Sequence, residues 1–223
     1  MKTLFLQADA VLRGTRMDGV VSLVNARLPL AIIVVFGGLY GAAMGMYGGM
    51  EGERALQVAS STVKVPFLLL VTFALSLPSF FVINTLTGLR RDFPEALQAL
   101  LRGQAGLTVL LASFAPLTLL CNVTATTTQT AVLFSALMFG IATVGGQILL
   151  RRYYGTLVER DMRHYLLMRI WGVLYAFVGI QMGWILRPFV GDPHRPVAFF
   201  RAGFGENAYV ALFQLIWHVF TGN

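Results

Sequence analysis

The chain has 223 residues, 57% of them hydrophobic and only 12% charged, with 17 Lys and Arg against 10 Asp and Glu. Soluble domains carry about 25% charged residues, so this balance excludes an ordinary water-soluble fold and leaves no length for a separate soluble domain. The single cysteine, Cys121, excludes an internal disulfide and a cysteine-based metal site.

A formal charge of +7 invites a nucleic-acid reading, but the Lys and Arg residues lie between apolar runs. There they orient helices and meet anionic head groups, so membrane lipids are the expected partners and nucleic acid is not. Residues 1–27 form a basic amphipathic segment. Leu4, Phe5, Ala8, Val11 and Leu12 share a helical face, with Lys2, Arg13 and Arg16 towards the head groups. Three charges, Asp9, Arg13 and Arg16, interrupt any secretory signal here.

The first span is expected over residues 29–49, which hold no charge and are long enough to cross a bilayer as a helix. Within it Gly37, Gly41, Gly45 and Gly49 recur every fourth residue, along one side. Small residues let two helices approach closely in lipid, so the stripe predicts a packing seam. Residues 53–62 suggest a short amphipathic helix leading to Lys64 and Pro66. The second span follows over 65–86, interrupted by Pro78, with Ser76 and Ser79 placed to satisfy the freed backbone groups.

After a basic turn at 88–92, residues 95–102 form an aqueous entry to the third span, 103–121, which holds Pro116. An uncharged connector, CNVTATTTQT, leads to the fourth span over 128–150, and a charged helical connector occupies 151–163. The fifth span covers 170–186. Its Gly172, Ala176, Gly179 and Gly183 make a second small-residue stripe, which predicts a pairing of the first and fifth spans, within one chain or between two. The five spans together make a transmembrane domain over 28–186. Residues 187–223 form an aromatic tail in which Arg187, Phe199, Phe200 and Trp217 are the expected anchors on the outer surface or a partner. Residues 207–220 are apolar but too short to cross, so they predict an interfacial helix.

The fold class expected is therefore an all-α polytopic bundle of about five spans with amphipathic terminal helices. Twelve of the 17 cationic residues fall on the N-terminal side of those spans and five on the other. The positive-inside bias then puts the N-terminus in the cytoplasm of a bacterial-type inner membrane and the C-terminus outside.

Chemistry is sparse. None of the ten acidic residues falls inside an expected span, which argues against a proton-coupled or carboxylate-lined cation path. The three histidines, His164, His194 and His218, show no zinc-site spacing and are expected at the surface. No Ser has a His or Lys partner at a motif spacing. The expectation is a protein that is not an enzyme and uses no cofactor or metal. One pattern supports transport: Pro78 is followed six residues later by Asn84, and Pro116 six residues later by Asn122, in consecutive spans. Paired broken spans point to transport sites, with Gln181 as a third amide on such a path.

The stretch VKVPFLLLVTFALSLPSFFVINTLTG (residues 63–88) resembles the second-span region of bacterial proteins grouped with the Yip family, and GIQMGWILRPFVGDP (179–193) is similar to their fifth-span exit. The basic N-terminus, five closely spaced spans and near absence of soluble loops add to the resemblance, which covers most of residues 28–193. The acidic-aromatic N-terminal signature of the eukaryotic members is absent, so the implication does not extend to a small-GTPase or trafficking role. What the resemblance implies is a non-enzymatic membrane scaffold or accessory subunit, acting through helix contacts with itself or another membrane protein. A small oligomeric transporter or channel for a neutral or anionic substrate is the alternative.

Overall fold

A computed structural model describes residues 2–13, 24–49, 51–52, 54–191, 197 and 199–200. Among them all regular structure is helical: α1 (Lys2–Arg13), α2 (Val24–Gly45), α3 (Arg54–Leu86), α4 (Phe93–Ser113), α5 (Ala115–Thr124), α6 (Thr128–Arg160) and α7 (Arg163–Ile185), with a single 3₁₀ turn at Arg90–Asp92. Among the described residues, five helical stretches are long and apolar enough to cross a membrane: Ala26–Gly45, Arg54–Leu86, Arg90–Thr124, Thr128–Arg160 and Arg163–Ile185. Large apolar side chains on their outer faces, such as Val34, Leu75, Leu133 and Phe177, are exposed in the isolated chain, as lipid-facing residues are.

Three boundaries differ from the sequence reading. Residues 54–86 form one unbroken helix that carries both Pro66 and Pro78 inside it, so neither proline interrupts the second span. The Ser76 hydroxyl donates to the Thr72 carbonyl at 2.8 Å, which is its own turn and not the group freed by Pro78. The third span does break, between α4 and α5 at Phe114, and Pro116 then sits in the first turn of α5, where a missing N–H costs nothing. Finally, the charged connector after the fourth span is simply the end of α6. With 33 residues each, α3 and α6 are about 50 Å long, roughly 20 Å more than the thickness of a hydrocarbon core.

The chain runs up and down between two ends of the bundle, one marked by Arg54 and the other by Asp161. The Arg54 end gathers the end of α2, the start of α3, the α5–α6 turn and the end of α7. The Asp161 end gathers the α3–α4 and α6–α7 turns. α2 sits centrally, packed on α3, α4 and α5, while α3 carries α7 and α4 carries α6. Ile32, Ile33 and Tyr40 of α2 are fully buried. The apolar face foreseen near the N-terminus docks on protein: α1 packs on α4, burying Ala8 and Val11, and the Tyr153 hydroxyl donates to the Val11 carbonyl.

The glycine stripe of α2 faces α3. A Cβ at Gly41 would collide with the Ser61 carbonyl group, and one at Gly45 would lie 2.8 Å from the Val58 Cα. At Gly37 it would touch Pro66 and Thr108 at 3.4 Å. Gly49 is not part of the seam: it lies beyond the helix, with φ of +100°, a turn conformation that glycine adopts without strain. The second stripe does not meet the first. Gly179 approaches Thr72 of α3 and Gly172 approaches Gln147 of α6. α3 therefore separates the first and fifth spans that were expected to pair within the chain, because its own backbone takes up the approach the α2 glycines permit.

Candidate functional site

The start of α3 carries a polar stripe, Gln57, Ser61 and Lys64, at spacings of four and three, which places all three on one face. Each is buried, and each holds the chain that leaves α7. Gln57 Nε2 and Ser61 Oγ donate to the Phe189 carbonyl at 3.2 and 2.6 Å, and Lys64 Nζ donates to the Pro188 carbonyl at 2.8 Å. Residues 187–191 are thereby strapped across α3, and Leu186 before them and Val190 among them are buried.

Below this strap lies a partly open cavity of about 840 Å³ between α3, α6 and α7. α6 contributes Thr128, Val132, Ser135, Phe139 and Thr143, and α7 contributes Tyr175, Ala176, Gly179, Ile180 and Gly183. α3 contributes Leu68, Leu69 and Thr72 from deeper in the bundle, while Met44 of α2 and Leu107 of α4 close the back. At the Arg54 end, which is called the cavity's mouth, the lining includes Arg54, Gln57 and Arg187. The space exists because α6 and α7 touch in the Asp161 half, through Tyr154 and His164 and through Gln147 and Gly172, and part towards the other end. Small side chains on α7 keep it clear; a Cβ at Gly183 would meet nothing within 4 Å.

Most of the lining is apolar, and the polar groups are few. The hydroxyls of Thr72 and Ser135, both 1% exposed, have no hydrogen-bond partner among the described residues, and nor does Nη1 of Arg54. Arg187 lies flat on Trp184, its Cζ 3.2 Å from the ring centroid, and its Nε donates to the Trp184 carbonyl. Among the described lining residues two are cationic and none is acidic. No group of three or more His, Cys, Asp or Glu able to hold a metal ion occurs among the described residues.

The expected site residues are distributed differently. Asn84 is buried at the Asp161 end, its amide without a hydrogen-bond partner among the described residues. Asn122, at the Arg54 end, donates to the Ala43 carbonyl at 2.8 Å and pins α5 to the end of α2. Since their helices run in opposite directions, Pro78–Asn84 and Pro116–Asn122 occupy opposite ends of the bundle. Neither pair lines the cavity, and Gln181 does not line it either. Ala176, Gly179 and Gly183, expected as packing residues, do line it. Of the tail anchors, Phe199 receives the Lys64 ammonium over its ring at 5.0 Å and stacks edge-on against Phe200. Trp217 lies outside the described residues, as does the helix expected over 207–220.

The Asp161 end is held by ion pairs. Arg160 meets Glu95 at 2.6 Å, and Arg163 binds both Asp161 and the Thr87 carbonyl. His164 was expected at the surface and is fully buried, 3.1 Å from Asp92, because the first turn of α7 tucks under the α3–α4 turn. Hydrogen bonds from Arg163 hold the Asp161 carboxyl down to about 2.

Sequence reasoning missed Arg54, Gln57 and Ser135. The polar stripe at 57, 61 and 64, on a helix otherwise apolar for two turns beyond it, was the available signal. No protein-family model, curated protein or solved structure matches the chain.

Proposed function

We propose that the chain is a non-enzymatic integral membrane protein that takes a small molecule into the cavity between α3, α6 and α7, as the binding unit of a small transporter. The observation that carries this is the cavity itself. At about 840 Å³ it lies within the 300–1,000 Å³ typical of ligand pockets, with apolar walls and a few convergent polar groups. The glycine stripe, which favoured a scaffold acting through helix contacts, is occupied by the α3 backbone and offers no surface to a partner. With the cationic excess on the N-terminal side, the cavity mouth faces outward from a bacterial-type inner membrane. Purification of the full chain in mild detergent, followed by mass spectrometry, tests the reading. A bound small molecule lost from a cavity-filled variant supports it. A stoichiometric second protein, with no bound small molecule, would return the chain to the role of an accessory subunit.

A further inference from the structure

We propose that the occupant is an anionic lipid of the surrounding membrane, its acyl chain lying between α6 and α7 and its phosphate on Arg54 and Arg187. This rests on the reading that the cavity is the binding site, and adds the class of molecule it takes.

Dimensions come first. The α6 lining runs from Thr128 to Thr143, which is about 22 Å of helix, against a hydrocarbon core of about 30 Å. The space thus reaches from one surface past the middle of the bilayer, the depth a single leaflet's chain requires. Its walls there are Leu69, Val132, Phe139 and Ile180, which suit a hydrocarbon and offer a soluble polar metabolite almost nothing.

Charge decides the head group. Nη1 of Arg54 is buried without an acceptor among the described residues, a costly state that an anionic oxygen relieves. Arg187, held against Trp184, puts a second guanidinium group in the lining, and planar guanidinium groups bind phosphate well. No described lining residue is acidic, so nothing there repels an anion. The Ser135 hydroxyl, on the α6 wall of the cavity, is a further unpartnered polar group among the described residues. Basic pockets between spans are a recurrent way of holding anionic head groups.

Native mass spectrometry of the full chain in detergent provides the test, with phosphatidylglycerol, phosphatidylcholine of the same acyl chains, and inorganic phosphate as the probes. Phosphatidylglycerol should be retained about tenfold or more over phosphatidylcholine, because the choline ammonium, which phosphatidylglycerol lacks, is repelled by the two arginines, and about 1.4 kcal/mol of such repulsion is tenfold. Inorganic phosphate should not displace it. Arg54→Gln with Arg187→Gln should bring phosphatidylglycerol down to the phosphatidylcholine level. Gly183→Trp fills open space and should eject the lipid, while Gly140→Trp, at a position where a Cβ also meets nothing within 4 Å but outside the cavity lining, should not. Equal retention of both lipids, lost in Gly183→Trp, would overturn the head-group assignment and leave the cavity reading standing. Displacement by phosphate alone would make the ligand a free anion and overturn the lipid. Unchanged retention in Gly183→Trp would overturn both. If the arginine variants fail to fold, the comparison of the two lipids on the parent chain still decides the charge.

Discussion

At Gly41 the absence of one carbon decides whether two helices can touch. The Ser61 carbonyl group occupies the place a Cβ would need, and backbone cannot move aside as a flexible side chain can. Gly41→Ala should therefore destabilise the protein by roughly 1–3 kcal/mol, the usual cost of overpacking. Gly38→Ala is the matched control, because its Cβ would meet Thr62 at an ordinary 3.5 Å. Helix propensity favours Ala over Gly by about 1 kcal/mol at either site, so it cannot explain a loss at Gly41. Thermal unfolding in detergent compares the two, and equal midpoints would remove the α2–α3 seam from this account. Gly41→Leu should be worse still, whereas Val34→Leu, on a half-exposed face, should be neutral.

α3 is the element on which the rest of the site depends. One face accepts the α2 glycines, another carries α7, and its first three turns hold the strap over residues 187–191. Lys64 holds the strap through a charge-assisted bond to the Pro188 carbonyl. Lys64→Met keeps the apolar stem and removes the donor. Losing a bond to a charged group costs about 1.5–3 kcal/mol, so amide exchange over residues 189–191 should accelerate by about tenfold or more. Exchange in the middle of α2 should not change. If the strap exchanges no faster, Lys64 is not what holds it down.

The turn between α6 and α7 carries a pH dependence of definite sign. Asp161 accepts from the Arg163 backbone N–H and guanidinium, and its carboxyl is held down from the ordinary 3.8 to about 2. A depressed acid contributes stability above its unfolded value and loses it as pH falls through its folded value. The turn should therefore loosen between pH 4 and pH 2, seen as faster amide exchange at residues 162–164. Asp161→Asn should already be loose at pH 7 and respond much less over that window. A parent chain as pH-insensitive as the variant would show that the ion pair does not hold the turn.

For the whole molecule, the claim most exposed to test is sidedness. Met162 and Thr126 are exposed in turns at opposite ends of α6. In a chain with Cys121→Ala, Met162→Cys should react only with reagents reaching the cytoplasm and Thr126→Cys only with outside reagents. Reaction of both from one side would mean that α6 does not cross, and a swapped pattern would overturn the charge-based orientation.

Sequence alone determined that the chain is helical and that five stretches have the length and apolarity of spans, because both properties depend on runs of neighbouring residues. It marked the α2 glycines as a close-approach face, since a period of four on a helix needs no tertiary knowledge. Which helix fills that face was settled only by packing: α3 takes it, and the fifth span lies beyond. Pro78 looked like an interruption because a proline's local cost is legible, whereas the neighbours that keep α3 continuous are not. The paired Pro–Asn pattern was legible locally, but antiparallel spans carry equivalent positions to opposite ends, so the two pairs do not meet at one place. Arg54, Ser135 and Gly183 are separated by most of the chain, and nothing local to any of them indicates a cavity. They share one only because α6 and α7 diverge and the strap crosses α3, which is a property of the assembled bundle.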